Sequence, residues 1–194
     1  IFLSTKIAQL VDVTNETGMN LHEAGSQTSN DTEIIAPELQ AKADELAKSL
    51  FDKASMIEPT VTSDMKELVM EGSKLIGLEY SLKSIASLAR KILSVHLMSL
   101  KTPNVKTLES IAENIGDCIR YTLVCEEGNY VQQVKHAMES LKAKGYTLKS
   151  FRNTWSSKTY KGINTNFIAP DGTVLELQFH TETSYDVKGD FTHI

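Results

Sequence analysis

The stretch Tyr160–Thr181, YKGINTNFIAPDGTVLELQFHT, constrains the fold of this chain more than any other. Two apolar-rich runs flank Pro170-Asp171-Gly172, a turn composition, so the stretch reads as a β-hairpin. In the second run Leu175, Leu177 and Phe179, with Val174, supply an apolar face. Residues two apart on a strand share a face, so Glu176, Gln178 and His180 line the other. A carboxylate, an amide and an imidazole in a row are either a solvated face or one wall of a polar cleft.

Upstream of the hairpin the period changes twice. CIRYTLVC, residues 118–125, is rich in strand formers. NYVQQVKHAMESLKAKG then reads as a helix with Asn129 as cap, Val131, Val134, Met138 and Leu141 on its core face and Gly145 at its end. YTLKSFRNTW follows as another strand. The earlier chain reads as helices: 36–57 with Pro37 in its first turn, 58–77 entered through Thr62-Ser63-Asp64 and stopped by Gly77, 81–100, and a short one within 104–116. The expected class is α+β, a small mixed sheet of about four to five strands flanked by helices behind a helical N-terminal part.

Charge divides the chain. Residues 1–64 carry 4 Lys/Arg against 11 Asp/Glu, and residues 65–194 carry 16 against 14, within a net charge of −5. We therefore expect an acidic, partly helical leader over 1–64, with Ser26–Glu33 as a polar linker, and an α/β domain over 65–194. The second span is the one able to tolerate an anionic ligand. The chain begins at Ile1, as an excised fragment or processed product would. No apolar run approaches the roughly 18 residues that span a bilayer, so a soluble protein is expected. Cys118 and Cys125 sit near opposite ends of one strand, poorly placed to bridge each other. Neither has a metal-ligand spacing partner.

Three more polar clusters stand out. Lys83, Ser87 and Lys91 recur every four residues, which on a helix stacks them on one face. Two ammonium groups with a hydroxyl between can grip phosphate oxygens, or they can be a solvated face. Asp117 precedes the 118–125 strand with Arg120 three residues on. It suits a Mg²⁺ ligand, since Mg²⁺ takes one or two carboxylates and leaves the rest to water and phosphates, or it is a turn residue. Lys158, Tyr160 and Lys161 surround a loop closed by Gly162, offering charge and a flat ring.

Taken in order, K-S-x-x-S-L-x-R-K, D-x-x-R, Y-x-G-x-N and E-L-Q-F-H-T resemble the synthetase domain of the RelA/SpoT alarmone-synthetase family over about residues 77 to 182. That family reads R-x-K-x-x-x-S-x-x-x-K, D-x-x-x-R, G-Y-x-S-L-H and E-V-Q-I-R-T at the corresponding places. The wording is most similar to a divergent branch found in phage-encoded and polymorphic-toxin proteins. The resemblance implies a nucleotidyltransferase-like sheet, Mg²⁺, and transfer of the β,γ-diphosphate of ATP to the 3′-hydroxyl of a nucleotide or an RNA. Under it Asp117 and Glu176 would be catalytic and would hold the metal. Lys83, Ser87, Lys91, Arg120 and Lys161 would hold phosphates. Tyr160, Asn164, Gln178 and His180 would bind the acceptor, a guanine or adenine nucleotide or a tRNA.

It further implies a toxin or effector that acts in the cytoplasm and can be delivered by secretion, with a protein partner such as an immunity protein. Three positions depart from the family pattern. Ser81 stands in place of the first Arg, Asn164 in place of the loop His, and His180 in place of the last Arg. Ser81 then weakens the protein, or is compensated by another basic residue such as Arg90 or Lys161, or is an introduced inactivating change. Two other readings stay open. One is a catalytically impaired nucleotide-binding module of the same fold. The other is an NAD-dependent ADP-ribosyltransferase, although Glu176-Leu177-Gln178 is the reverse of the expected acidic pair.

Overall fold

A computed structural model describes residues 36–158 and 160–186. The linker 26–33 and most of the acidic leader lie outside the described residues. The elements are α1 (Pro37–Lys66), β1 (Lys74–Ile76), α2 (Ile85–Leu100), α3 (Leu108–Glu113), β2 (Ile119–Cys125), α4 (Tyr130–Ala143), β3 (Thr147–Asn153), β4 (Ile163–Ile168) and β5 (Val174–Thr181). The five strands form one mixed sheet ordered β1-β2-β5-β4-β3, with β2 and β5 parallel and the other neighbours antiparallel. The expected α+β class, a small mixed sheet flanked by helices, is the class observed.

The hairpin forms as its turn chemistry dictates. Gly172 adopts φ +92° and its amide donates to the Ala169 carbonyl at 2.8 Å. The Asp171 carboxylate accepts from the Thr173 amide and hydroxyl. Alternation along β5 then buries Leu175, Leu177 and Phe179 completely, with Ile119, Tyr121 and Leu123 of β2 beside them in register. Helices α1, α2, α3 and α4 all contribute to this one apolar core. Each fully buried Leu or Phe contributes on the order of 1.5–3 kcal/mol, so the face assignment of β5 is strongly determined.

The helical half needs correction. The two helices expected over 36–57 and 58–77 are one helix, α1, which passes through Pro59 and ends at Lys66. Pro59 removes one backbone donor, yet Ala43, Ala47, Ala54, Val61 and Met65 on either side of it are all buried in the core. Packing of that continuous stripe outweighs the local break. Thr62, Ser63 and Asp64 are therefore helix interior and not a cap, and the boundary drawn at residue 64 falls inside α1. Asp64 instead accepts from Lys144 at 2.9 Å and from Tyr146 at 2.7 Å, tying the end of α4 to α1. Residues 74–76, read as helix, are the edge strand β1. The third helix starts at Ile85 and not at residue 81, capped by the Ser84 hydroxyl, which accepts from the Ser87 amide.

Gly162 has a packing role that the sequence pattern did not show. A Cβ built there would lie 2.8 Å from the Phe179 carbonyl oxygen and 2.9 Å from His180 Cε1. Gly162→Ala is expected to destabilise the fold by roughly 1–3 kcal/mol through overpacking. Gly128→Ala, with open space around the added methyl, should stay within about 0.5 kcal/mol. Urea unfolding of the two variants checks the difference, and equal midpoints would contradict the close approach.

Candidate active site

The second face of the sheet is polar, and strand register lays it out in rungs. One rung reads Arg120, Glu176, Asn166, Ser150 across β2, β5, β4 and β3. The next reads Thr122, Gln178, Asn164, Arg152. The opening strand's polar row thus lies on the face opposite the core.

The two ends of that row differ. At the far end Gln178 is buried and His180 is fully so. His180 Nε2 and the Tyr160 hydroxyl lie 2.9 Å apart, and that hydroxyl donates to Asn164 Oδ1 at 2.6 Å. With the Tyr160 hydrogen directed at Asn164, Nε2 is left to donate to the phenol oxygen, and Nδ1 lies 3.1 Å from Ser184 Oγ. The Tyr160 and Tyr185 rings meet the imidazole edge-on. A loop and the helical turn at 182–186 close over this half of the face. At the near end Arg120 is exposed and Glu176 half-buried, and neither side chain has a hydrogen bond or ion pair among the described residues.

Asp117 joins the near end. Asn166, which flanks Glu176 on β4, donates from Nδ2 to the Gly116 carbonyl at 3.0 Å. It also accepts from Ser150 at 2.9 Å. This amide clamps the entry of β2 onto the polar face, and Asp117 follows directly. A Cβ on Gly116 would sit 3.0 Å from Asn166 Nδ2, so a side chain there would displace the clamp by a few tenths of an ångström. Neither Asn166 nor Gly116 was singled out from the sequence, although Asn166 alternates with Asn164 and must share its face.

Lys83 is not on the helix with Ser87 and Lys91, as the four-residue spacing predicted. It lies in an extended segment before α2, its amide bonded to the Cys118 carbonyl at 2.9 Å. The two lysines nevertheless converge. Lys83 Nζ donates to Asp117 Oδ2 at 2.5 Å and Lys91 Nζ to Oδ1 at 2.7 Å. The cluster is half-sunk, with side-chain exposures of 17% for Asp117 and 21% for Lys83. Ser87 sits one turn from Lys91, its hydroxyl engaged by Ser84 at 3.0 Å and by Arg90 at 3.5 Å. Lys161 lies in the covering loop, where its ammonium donates to the Trp155 carbonyl at 2.8 Å. Ser81 is buried, its hydroxyl donating to Glu58 Oε1 at 2.8 Å.

For a hard dication, the donors suit in kind. Glu176 is a half-buried carboxylate without a partner among the described residues, and Asp117 is a second oxygen donor. Among those residues no group of three or more His, Cys, Asp or Glu forms a cation cage. An ion would hold at most these two carboxylates and complete its shell with water and ligand oxygens. Each Asp117 oxygen already accepts from a lysine, so the site is net positive around that carboxylate and favours an anion arriving with the cation. A groove between α1 and α2, lined by Ala89, Arg90, Leu93 and Met98, contains neither carboxylate and neither of the two lysines. Among the described residues no helix is long and apolar enough to cross a membrane.

No family model and no curated protein matches the chain. Among the solved structures that show similarity are two. One is the complex between the Type VI effector Tas1 and its immunity protein, 13% identical with TM-score 0.40, covering 79% of this chain and 71% of that one. The other is smu.1046c from Streptococcus mutans UA159, 15% identical with TM-score 0.43, covering 80% and 77%. At these values function has to be argued from the site's own geometry.

Burial alone would raise the Asp117 pKa, but hydrogen bonds from Lys83 and then Lys91, with their charges, outweigh it and hold the carboxyl below its usual value. Such a group adds stability that is complete above the ordinary value near 3.9 and is lost as pH falls through the lower, folded one. Asp117→Asn should therefore flatten the loss of unfolding free energy between about pH 5 and pH 2. Urea titrations of both proteins across that range give the comparison. Parallel pH slopes would show that the lysines do not stabilise the carboxylate.

Proposed function

We propose that this chain is a RelA/SpoT-like pyrophosphokinase that moves a diphosphate from ATP to the 3′-hydroxyl of a nucleotide or an RNA, in an effector or toxin setting. The observation that carries the reading is the convergence of Lys83 and Lys91 on Asp117 at the entry of β2, the end of the sheet where Glu176 lies on β5. Residues far apart in sequence supply a cationic phosphate grip, a carboxylate beside it and a second carboxylate without a partner. Diphosphate transfer needs positioning and charge neutralisation more than covalent chemistry by the protein.

In this reading the phosphate oxygens of ATP draw Lys83 and Lys91 from Asp117, and Arg120 adds a third cation. Asp117 and Glu176 would hold Mg²⁺, which neutralises phosphate charge when bound. The acceptor 3′-oxygen attacks the β-phosphorus, the bond from that phosphorus to the α,β-bridging oxygen breaks, and AMP leaves with the electron pair. The hydroxyl proton passes to Glu176. Asn164 and Gln178, braced by Tyr160 and His180, border the acceptor side. Because the Tyr160 hydroxyl bonds Asn164 and lies beside His180, its ring serves as part of this wall while any stacking on the acceptor base uses its remaining face. A bound acceptor or immunity-type partner belongs to the proposal in the same way.

The test is incubation with ATP labelled at the γ-phosphate, Mg²⁺ and a panel of GDP, GTP, ADP, AMP and tRNA. Label in one acceptor with matching AMP release is expected. ATP binding without release would favour the impaired module, a reading that the missing Arg at Ser81 motivates. Glu176→Gln should lower turnover far more than ATP affinity, since its role lies in the transition state. Lys83→Ala and Lys91→Ala should each weaken ATP binding roughly 10-fold or more, as expected for about 1.5–3 kcal/mol per charge-assisted bond.

A further inference from the structure

Helix α2 is more apolar than one buried face requires. Leu88 and Ile92 are fully buried in the core, yet Ala86 and Met98 stay exposed. Ala86, Ala89, Leu93 and Leu97 recur at steps of three or four, so they share a face of the helix. Together with Met98 they form the floor of the groove against α1, a space of about 430 Å³. From Ala86 to Leu97 the floor runs roughly 16 Å at 1.5 Å per residue. Two cations stand on its rim, Arg90 and Lys101, and neither has an ion pair among the described residues.

The groove opens where α1 begins. Gln40 and Asp44 line it from the first two turns of that helix, which starts at Pro37. The chain ahead of Pro37 contains a stretch that matches the floor. In IFLSTKIAQLVDVTNE, residues 1–16, Leu3, Ile7, Leu10 and Val11 are spaced i, i+4, i+7 and i+8, the apolar stripe of an amphipathic helix. Such a stripe is roughly 12 Å long at helical rise, within the length of the floor. Residues 12–36 connect it to α1 and can span up to roughly 80 Å at 3.3 Å each, so reach does not limit a return to the groove. Charge agrees. Residues 1–35 carry Lys6 against Asp12, Glu16, Glu23, Asp31 and Glu33, one positive and five negative charges, a net of −4, opposite the cations Arg90 and Lys101. We infer that the groove between α1 and α2 is the docking site of residues 1–16 of the same chain, seated as an amphipathic helix along α2. Tethering makes this docking effective even at low intrinsic affinity, since a linked segment is present at a local concentration on the order of millimolar. The inference does not depend on the proposed phosphate grip.

The experiment is amide hydrogen exchange on the full chain, with a synthetic peptide of residues 1–16 as the unprotected reference. In the wild type the amides of residues 3–11 should exchange about 10-fold or more slowly than in the peptide, the mark of a segment that is docked most of the time. Ala86→Glu and Met98→Glu place a carboxylate on the floor at exposed positions. Each should return residues 3–11 to the peptide's rate while the amides of β2 and β5 keep theirs. Ile7→Glu leaves the groove itself unaltered, and in that variant Met98 should become severalfold more reactive toward hydroxyl radicals as its cover is lost. Wild-type exchange at the peptide's rate, protection that survives both floor variants, or Met98 reactivity unchanged by Ile7→Glu overturns the inference. Protection that fades on dilution overturns it too, by assigning the groove to a second copy of the chain.

Discussion

Parallel pairing of β2 with β5 is the constraint on which the rest of the molecule depends. Seven consecutive residues are in register, from Ile119 beside Leu175 to Cys125 beside Thr181. Because side chains alternate, this one register sets both faces at once. Ile119, Tyr121 and Leu123 join Leu175, Leu177 and Phe179 in the core. Arg120 meets Glu176, and Thr122 meets Gln178, on the other face. A slip of one residue would bury Glu176 against the helices, so the same apolar contacts that stabilise the sheet also aim the carboxylate outward. Parallel strands cannot be joined by a tight turn, and here α4, β3 and β4 intervene. The cost in chain length brings the entry of β2, with Asp117, to the end of the sheet where Glu176 emerges.

The polar face is then divided by burial. At its far end Tyr160, Asn164, His180 and Ser184 hold one another through hydrogen bonds in a water-poor layer. Satisfied networks of this kind rigidify, since each buried polar group that lost its partner would cost about 1–3 kcal/mol. Gly162 permits the covering loop to approach closely enough to complete it. At the near end the charges of Arg120 and Glu176 remain without partners among the described residues. A rigid floor beside uncompensated charge is the arrangement a site needs to bind and orient a charged ligand.

Much of this was legible because it follows from period two. The hairpin turn, the apolar side of β5 and the shared face of Glu176, Gln178 and His180 all follow from local alternation and turn chemistry. The helical half was less legible because local punctuation competed with packing. Pro59 and the Thr62-Ser63-Asp64 run read as a break and a new cap, yet the stripe Ala54, Val61, Met65 buries across them and the helix continues. Lys83 shows the converse. Its spacing to Ser87 and Lys91 suggested a helix face, whereas Ser84 caps α2 and leaves Lys83 in extended chain. It reaches Asp117 all the same, because the segment pairs with residues 118–120. Such pairing is a long-range fact with no local trace, as are the Asn166 clamp on Gly116 and the cover over His180.

Ser81 brings these strands of argument together. The resemblance to the synthetases leaves this position without the expected guanidinium, and an inactivating exchange was one explanation. The geometry gives the residue another task. Its hydroxyl is buried and donates to Glu58 Oε1, which also accepts from Thr62 at 2.5 Å; Thr62 Oγ1 lies 2.8 Å from the Tyr121 hydroxyl. Burial first of all pushes the Tyr121 pKa up to about 12, so that phenol stays protonated. It can therefore give its hydrogen to Thr62, whose own hydrogen goes to Glu58. Ser81 thereby fastens the segment carrying Lys83 to α1, while its carbonyl fastens the same segment to β2 through the Arg120 amide. A long cation at this position would have to break that knot or extend away from it. Arg120, across the backbone bond from Ser81 and on the rung of Glu176, is the residue that would supply a third positive charge under the proposed function. In this chain position 81 anchors the segment that carries Lys83, and under the proposed function the charge it lacks would come from its strand neighbour.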